Sequence, residues 1–312
     1  MPKTGKRLPI WSPRPGRDCP DPQLRISVII PTYERAEATV AALRSVLAQT
    51  APPLEVIVVD DHSSIPFALP ADLETAVPVK VFRLDKNGGA AAARNAGVAA
   101  ASGEWIAFLD SDDIWMPDKL ARQASCAANE KPGELVCYAT GFARVDALRG
   151  NRREELVPVP ASGVEAFAAG CWFAPGSTAI LHRKAFDIVG GFDPSMRRLE
   201  DFDWFLRFGL SGGELRVVPF VGALVNIDDR PAPAKTEDAR AAILAKWPRR
   251  GAGSALPGSA RARLAAYLDL ECASANFYAG DYLRAASFLA RSFARAPRLR
   301  VPIERWWRSP GP

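Results

Sequence analysis

The sequence predicts an α/β protein: a doubly wound, mostly parallel sheet of nucleotide-binding type, followed by an α-helical appendage. Three observations predict it. Strand-length apolar runs alternate with helical patterns over the first 110 residues in the order β, α, β, β, α, β, as expected of a sheet covered by helices on both faces. Two of those runs, L-E-V-I-V-V from Leu54 and W-I-A-F-L from Trp105, stop abruptly in acid, at Asp60 and Asp61 and at Asp110, Asp112 and Asp113. Beyond residue 260 the strand patterns cease, and two helical stretches meet at Gly280-Asp281.

Taken in order, residues 1–23 hold six prolines among scattered basic residues and read as a disordered arm. I-S-V-I-I from Ile26 is a buried strand halted by Pro31. Thr32, Tyr33 and Glu34 then lead into a helix with Val40, Leu43 and Leu47 at helical spacing, ending near Gln49. The strand at 54–59 is expected to lie adjacent and parallel to the one at 105–109, delivering its acids to the same sheet edge. A third strand at 79–83 precedes Asn87-Gly88-Gly89, whose glycines permit a tight turn. The alanine-rich stretch 90–101 has strong helix propensity, with Arg94 and Asn95 as polar exceptions. A further helix follows Pro117, over about 118–129.

The second half is less regular. Strands are expected at 135–139, 144–146 and 177–182, a loop or edge at 151–159, and a short helix at 183–189 stopped by Gly190-Gly191. Phe202, Phe205 and Leu206 then fall at i, i+3, i+4, so Glu200 and Asp201 occupy a helix N-terminus, where the dipole favours negative charge. Residues 217–226 complete the sheet, giving an α/β domain over 24–230. A linker with one helix at 237–247 fills 231–259, and 260–312 holds a helical hairpin and a basic tail. The hairpin helices span 261–278 and 282–295. The second is expected to turn Tyr282, Ala286, Leu289 and Phe293 inward, as in half of a tetratricopeptide-type repeat.

Composition is ordinary for a globular chain, with 48% hydrophobic and 24% charged residues. The net charge of +5 is uneven: residues 231–312 carry +8 and the remainder −3. A nucleic-acid footprint over the whole protein is therefore not expected. The odd set of Cys19, Cys126, Cys137, Cys171 and Cys272, with no C-x-x-C pair, reads as reduced thiols. No run approaches the roughly 18–20 apolar residues of a membrane span, and M-P-K-T-G-K-R lacks the apolar core of a signal peptide. Both point to a cytoplasmic location. The tail, with Arg291, Arg295, Arg298, Arg300 and Arg305-Trp306-Trp307-Arg308, suits either peripheral contact with the inner face of an anionic membrane or docking onto the domain.

In an open α/β sheet the ligand crevice lies outside the carboxyl ends of the strands. Acids collected there suit a hard divalent cation, Mn²⁺ or Mg²⁺, that shares its coordination with water and substrate phosphates. His62 and His182 are the only histidines and make a zinc site improbable. Trp115 and Trp172 read as core residues rather than stacking platforms.

S-V-I-I-P-T-Y-E-R from Ser27, V-I-V-V-D-D-H-S-S from Val56, N-G-G-A-A-A-A-R-N-A-G from Asn87, G-E-W-I-A-F-L-D-S-D-D from Gly103 and L-E-D-F-D-W from Leu199 together resemble the family-2 glycosyltransferases, in that family's order and spacing. The resemblance covers about residues 26–230. It implies a GT-A fold and an inverting transfer of sugar from a nucleotide-diphosphate donor, most commonly a UDP-sugar, to a saccharide or lipid-linked acceptor in cell-surface polysaccharide or glycolipid synthesis. It further implies that Pro31, Tyr33 and Glu34 border the nucleoside, that Asp61 bonds the base with Asp60 supporting the turn, and that Arg94 and Asn95 steady the nucleotide. Asp110 would lie near the ribose, Asp112 would bind the metal on the diphosphate, and Asp201 would be the general base, with Glu200 and Asp203 as acceptor or supporting acids. Two positions depart from the pattern: His62 replaces a usual glycine, and Leu199 a commoner glycine or acid. Two rival readings remain. A sugar nucleotidylyltransferase should carry a Gly-rich phosphate loop after its first strand, where this chain has Pro31-Thr32-Tyr33-Glu34. A catalytically inactive binding protein should have lost Asp112 or Asp201, and both are present.

Overall fold

A computed structural model describes residues 24–128, 135–146, 152–226, 232–247, 256–296 and 307–308. The N-terminal arm at 1–23 and most of the tail lie outside these. The chain opens with β1 (Ile26–Thr32), α1 (Ala36–Leu47), β2 (Glu55–Asp60), β3 (Val79–Arg83), α2 (Ala90–Ala100) and β4 (Trp105–Phe108). β1 pairs in parallel with β2 on one side and β4 on the other, and β2 pairs in parallel with β3. The two strands that end in acid are therefore not neighbours, as expected from sequence, but flank β1. The chain leaves β1 in one direction and returns on its other side, and that reversal opens a crevice at the strands' carboxyl ends.

β1 does not stop at Pro31. The carbonyls of Arg25 and Ile29 accept N–H groups of Trp105 and Leu109 on the β4 side, while that of Thr32 accepts from Asp61 on the β2 side. By this alternation Pro31 turns its missing N–H toward β4, which has already ended at Phe108, so no ladder bond is lost.

The side chains of β1 also alternate. Val28 and Ile30 join the core under α1, and Ile29 the core under α2. α2 sits so close to the sheet that a Cβ on Gly97 would come within 2.4 Å of Ile29 Cγ2. Its small residues thus fit the gap as well as the helix.

The rest of the sheet is largely antiparallel. After β5 (Ile114–Trp115) and α3 (Lys119–Ala127) comes β6 (Val136–Asp146), one continuous strand where two were expected, and then β7 (Arg152–Pro158), a strand antiparallel to β6 where a loop or edge was expected. β8 (Ala161–Ser162), α4 (Val164–Phe167) and α5 (Pro175–Thr178) lead into β9 (Ala179–His182), which is antiparallel to both β4 and β6. α6 (Lys184–Val189) and α7 (Glu200–Leu210) precede β10 (Glu214–Asn226), parallel to β6 with register shifts between Val218 and Ala223. Trp115 and Trp172 are buried, donating to the carbonyls of Ser177 and Val159, and belong to the core as expected.

The final helices are α8 (Pro233–Lys246), α9 (Gly258–Tyr278) and α10 (Tyr282–Arg295). They do not stand apart from the sheet: Ile243, Trp247, Leu264 and Tyr267 share a core with Phe202 and Leu206 of α7. The second helix of the hairpin has the expected bounds and the first starts three residues earlier than expected, but the inward face differs. α10 buries Ala285, Phe288 and Ser292, and leaves Tyr282, Ala286, Leu289 and Phe293 exposed. Polar anchoring explains the choice. Ser292 Oγ donates to the Ala266 carbonyl, and buried Asp269 of α9 receives both Arg240 and Arg295. Among the described residues no helix is long and apolar enough to cross a membrane. Of the tail, a two-residue β11 (Trp307–Arg308) pairs antiparallel with β7.

Candidate active site

A cleft of about 650 Å³ opens at the carboxyl ends of β1 and β4, within the range of small-molecule sites. Pro31, Tyr33, Asp61, Arg94, Asp110, Asp112, Glu200 and Asp201 all line it, so acids from sequence-distant segments meet there. Four expected site residues do not. Glu34 caps the loop after β2, its carboxylate accepting Ser64 N–H and Oγ–H. Asp60 is buried and accepts from Ser63, Phe67 and Arg83; burial alone would raise its pKa, and these bonds hold it below the usual range instead. Asn95 clasps Phe192 through both its amide groups at 2.8 Å. Asp203 is fully buried and paired with Arg207 and Lys246.

The first wall of the cleft rests on strand ends. Both Asp61 oxygens accept backbone N–H groups, from Gly88 and Gly89 at 2.7 Å, which ties the end of β2 to the start of α2. Asp110 lies against Gly176, where a Cβ would come within 2.3 Å of its Oδ2, so only a bare Cα leaves the carboxylate in place. Asp113 is turned inward to Ser177 Oγ and the Asn226 N–H. Burial, with Asp110 beside it, pushes its pKa well above the carboxylate range. Asp110 and Asp112 stay at the cleft surface, their side chains 38% and 26% exposed; Asp110 is held by Arg94, and Asp112 has the Arg35 guanidinium 2.5 Å away.

The second wall is built by helices. At the start of α7, Glu200 accepts from Arg94 at 2.7 Å, and the same guanidinium donates to Asp110 at 2.7 Å. Burial works against the charge on Arg94, but Asp110, Glu200 and Asp201 more than offset it, so it stays a cation joining the two walls. Asp201 Oδ1 accepts the N–H of Phe202. Burial and the neighbouring Glu200 raise its pKa to about 6, against the opposing pull of Arg94. His62 and Leu199, the two departures from the family pattern, have φ of 64° and 58°. The left-handed backbone that suits glycine is therefore kept at both places despite a side chain, a strained geometry of the sort found beside functional sites.

Arg197, Arg198, Tyr267 and Glu271 also line the cleft and were not foreseen. Arg197 donates to the side chain and carbonyl of Asn87, and Arg198 pairs with Glu271 at 3.4 Å. Tyr267 and Glu271 come from α9, so the C-terminal helices close the site. The sequence showed only that both fall within one helix.

Among the described residues no group of three or more His, Cys, Asp or Glu could hold a metal ion by itself. A cation of the Mn²⁺ or Mg²⁺ type needs no such cage, because one or two carboxylates plus substrate phosphates suffice. Asp112, open to the cleft and already balanced by a guanidinium, fits that requirement.

The family model for glycosyl transferase family 2 matches residues 27–190. An uncharacterized glycosyltransferase of Haemophilus influenzae is 29% identical over 182 residues, covering 58% of this chain and 61% of that protein. The succinoglycan biosynthesis protein ExoO of Rhizobium meliloti is 46% identical over 100 residues, 31% of this chain and 28% of its own length. The UDP-Glc:alpha-D-GlcNAc-diphosphoundecaprenol beta-1,3-glucosyltransferase WfgD of Escherichia coli is 40% identical over 100 residues, 32% of this chain and 40% of its own. The chain thus spans less than two thirds of each of these relatives. Among solved structures, S. aureus TarS 1-349 in complex with UDP superposes with a TM-score of 0.58 at 18% identity, over 88% of this chain and 81% of that one. Its complex with UDP-GlcNAc gives 0.52 at 20%, over 91% and 78%. With more than half of the chain taken in by the family model and the sheet architecture shared over most of its length, this protein belongs to glycosyl transferase family 2 and has the GT-A fold.

Proposed function

We propose that the chain is an inverting glycosyltransferase that moves a sugar from a UDP-sugar to the hydroxyl of a saccharide or lipid-linked acceptor, in the cytoplasm, for cell-surface polysaccharide or glycolipid synthesis. The donor class is supported by the UDP and UDP-GlcNAc complexes of TarS and by the UDP-Glc named for the E. coli relative. The pathway class is supported by that relative and by the succinoglycan protein. The observation that carries the reading is Asp201, lining the same cleft as Asp112, with a pKa raised to about 6.

In this reading the strand-end wall holds the nucleotide. Pro31, Tyr33 and Asp61 border the nucleoside, with Asp110 near the ribose. A divalent cation at Asp112 would neutralise charge on the departing diphosphate as a Lewis acid. The helical wall receives the acceptor. Asp201, with one oxygen fixed by Phe202, uses the other to take the proton of the attacking hydroxyl. A pKa near 6 leaves it mostly ionised at neutral pH yet basic enough to help, a contribution of about 10²- to 10⁴-fold. Attack from the face opposite the diphosphate inverts the anomeric carbon. Arg94 acts as a positioning residue, holding Glu200 and Asp110 in register across the cleft.

The test is a thermal-shift screen of nucleoside diphosphates with Mn²⁺, Mg²⁺ or chelator, followed by NMR of the product's anomeric configuration. UDP should stabilise the chain more with cation than with chelator, and the product should be inverted. No stabilisation by any nucleotide, or a retained anomer, would refute the proposal.

A further inference from the structure

The α9–α10 hairpin carries an apolar face with no counterpart among the described residues. Tyr282, Ala286, Leu289 and Phe293 recur at spacings of four, three and four, the rhythm of a coiled-coil seam. All are exposed, Tyr282 at 64%, Leu289 at 50% and Phe293 at 66%. Leu283, 87% exposed, flanks the seam, and Phe277 of α9 extends it with a ring 5.5 Å from that of Tyr282.

The charges say what kind of surface this fits. Each arginine of α10 is engaged away from the seam: Arg284 pairs with Glu237, Arg291 lies over the buried Phe288 ring, and Arg295 pairs with Asp269. No charged side chain interrupts the stripe. An anionic lipid surface calls for cations beside the apolar face, whereas an apolar helix does not.

We propose that a second copy of this chain covers the face, with α10 packed antiparallel on α10 about a two-fold axis. A two-fold contact must be self-complementary, and this seam is. When Tyr282 of one copy lies against Phe293 of the other, Ala286 lies against Leu289. Aromatic meets aromatic at both ends, and small meets large between. The area is also of the right order. Aromatic side chains span about 150–250 Å² each; three of them, half to two thirds exposed, with two leucines, offer on the order of 600 Å² per copy. That lies beyond a few hundred Å² of incidental patch and near the low end of specific interfaces, at about 600 Å² per partner.

Sedimentation velocity of the full chain over a micromolar concentration series tests this. The wild type should move from monomer to dimer, and Leu289→Glu or Phe293→Glu should stay monomeric with the melting temperature of the dilute, monomeric wild type. If either lowers that temperature, Tyr282→Glu serves in its place. Mixed copies carrying Ala286→Cys and Leu289→Cys should cross-link with each other faster than either does with itself. A wild type that remains monomeric throughout overturns the proposal, as does a dimer that these substitutions leave intact. Binding to phosphatidylserine vesicles that is lost in Leu289→Glu also overturns it, by assigning the face to lipid.

Discussion

The two edges of the sheet treat carboxylates in opposite ways. At the amino edge, Glu55 opens β2 as a buried acid, accepting from Ser27 Oγ, from Ser102 N–H and Oγ–H, and from Lys80 at 2.7 Å. Burial would raise its pKa, but these partners outweigh it and bring the value down to about 2. At the carboxyl edge, Asp201 and Asp113 are pushed up by burial and by neighbouring acids. One edge supplies each charge with donors and gains stability. The other supplies Asp60 and Asp61 with donors too, but around the single buried Arg94 it crowds like charges together and is left with groups ready to take up a proton or a cation.

The largest expected effect falls on the crowded edge. Asp201→Asn should lower kcat by about 10²- to 10⁴-fold without lowering the melting temperature, because a carboxylate with a raised pKa costs the folded state when it ionises. Steady-state kinetics beside calorimetry would check this, and a parallel loss of stability would break the contrast. Arg94→Met should destabilise the chain by about 1–3 kcal/mol, since it removes the buried cation that the partly exposed Asp110 and Glu200 share. Denaturant unfolding measures it. Glu55→Gln should cost about 3 kcal/mol at neutral pH while leaving kcat unchanged, the reverse of Asp201→Asn.

The pH dependence separates the edges without mutation. The folded pKa of Asp201 is raised, so kcat/KM should fall about tenfold per unit below pH 6 as the base becomes protonated. The folded pKa of Glu55 is depressed, so its contribution is complete above its unfolded value of 4.5 and is lost as pH falls toward 2. Between pH 6 and 4.5 the chain should lose activity while remaining folded by circular dichroism.

How much was legible follows the same division. β1, β2 and β4 were readable because strands covered on both faces are continuous apolar runs, and their acids follow directly in the chain. That β1 lies between the acid-bearing strands was not readable, since strand order depends on crossovers rather than on local pattern. The helical wall was legible only at Glu200 and Asp201. Arg197, Arg198, Tyr267 and Glu271 reach the cleft through the packing of α9 on α7, which no local spacing records. α10 misled for a physical reason. It carries two stripes, and the less apolar one, Ala285, Phe288 and Ser292, is buried because Ser292 and Asp269 anchor it.

Asp112 and Asp201 line one cleft, and in the proposed function they serve its opposite walls. Calorimetric titration of UDP with Mn²⁺ into Asp112→Asn and Asp201→Asn tests it most directly. Binding should be at least tenfold weaker in Asp112→Asn and unchanged in Asp201→Asn. Equal weakening in both, or loss only in Asp201→Asn, would contradict it.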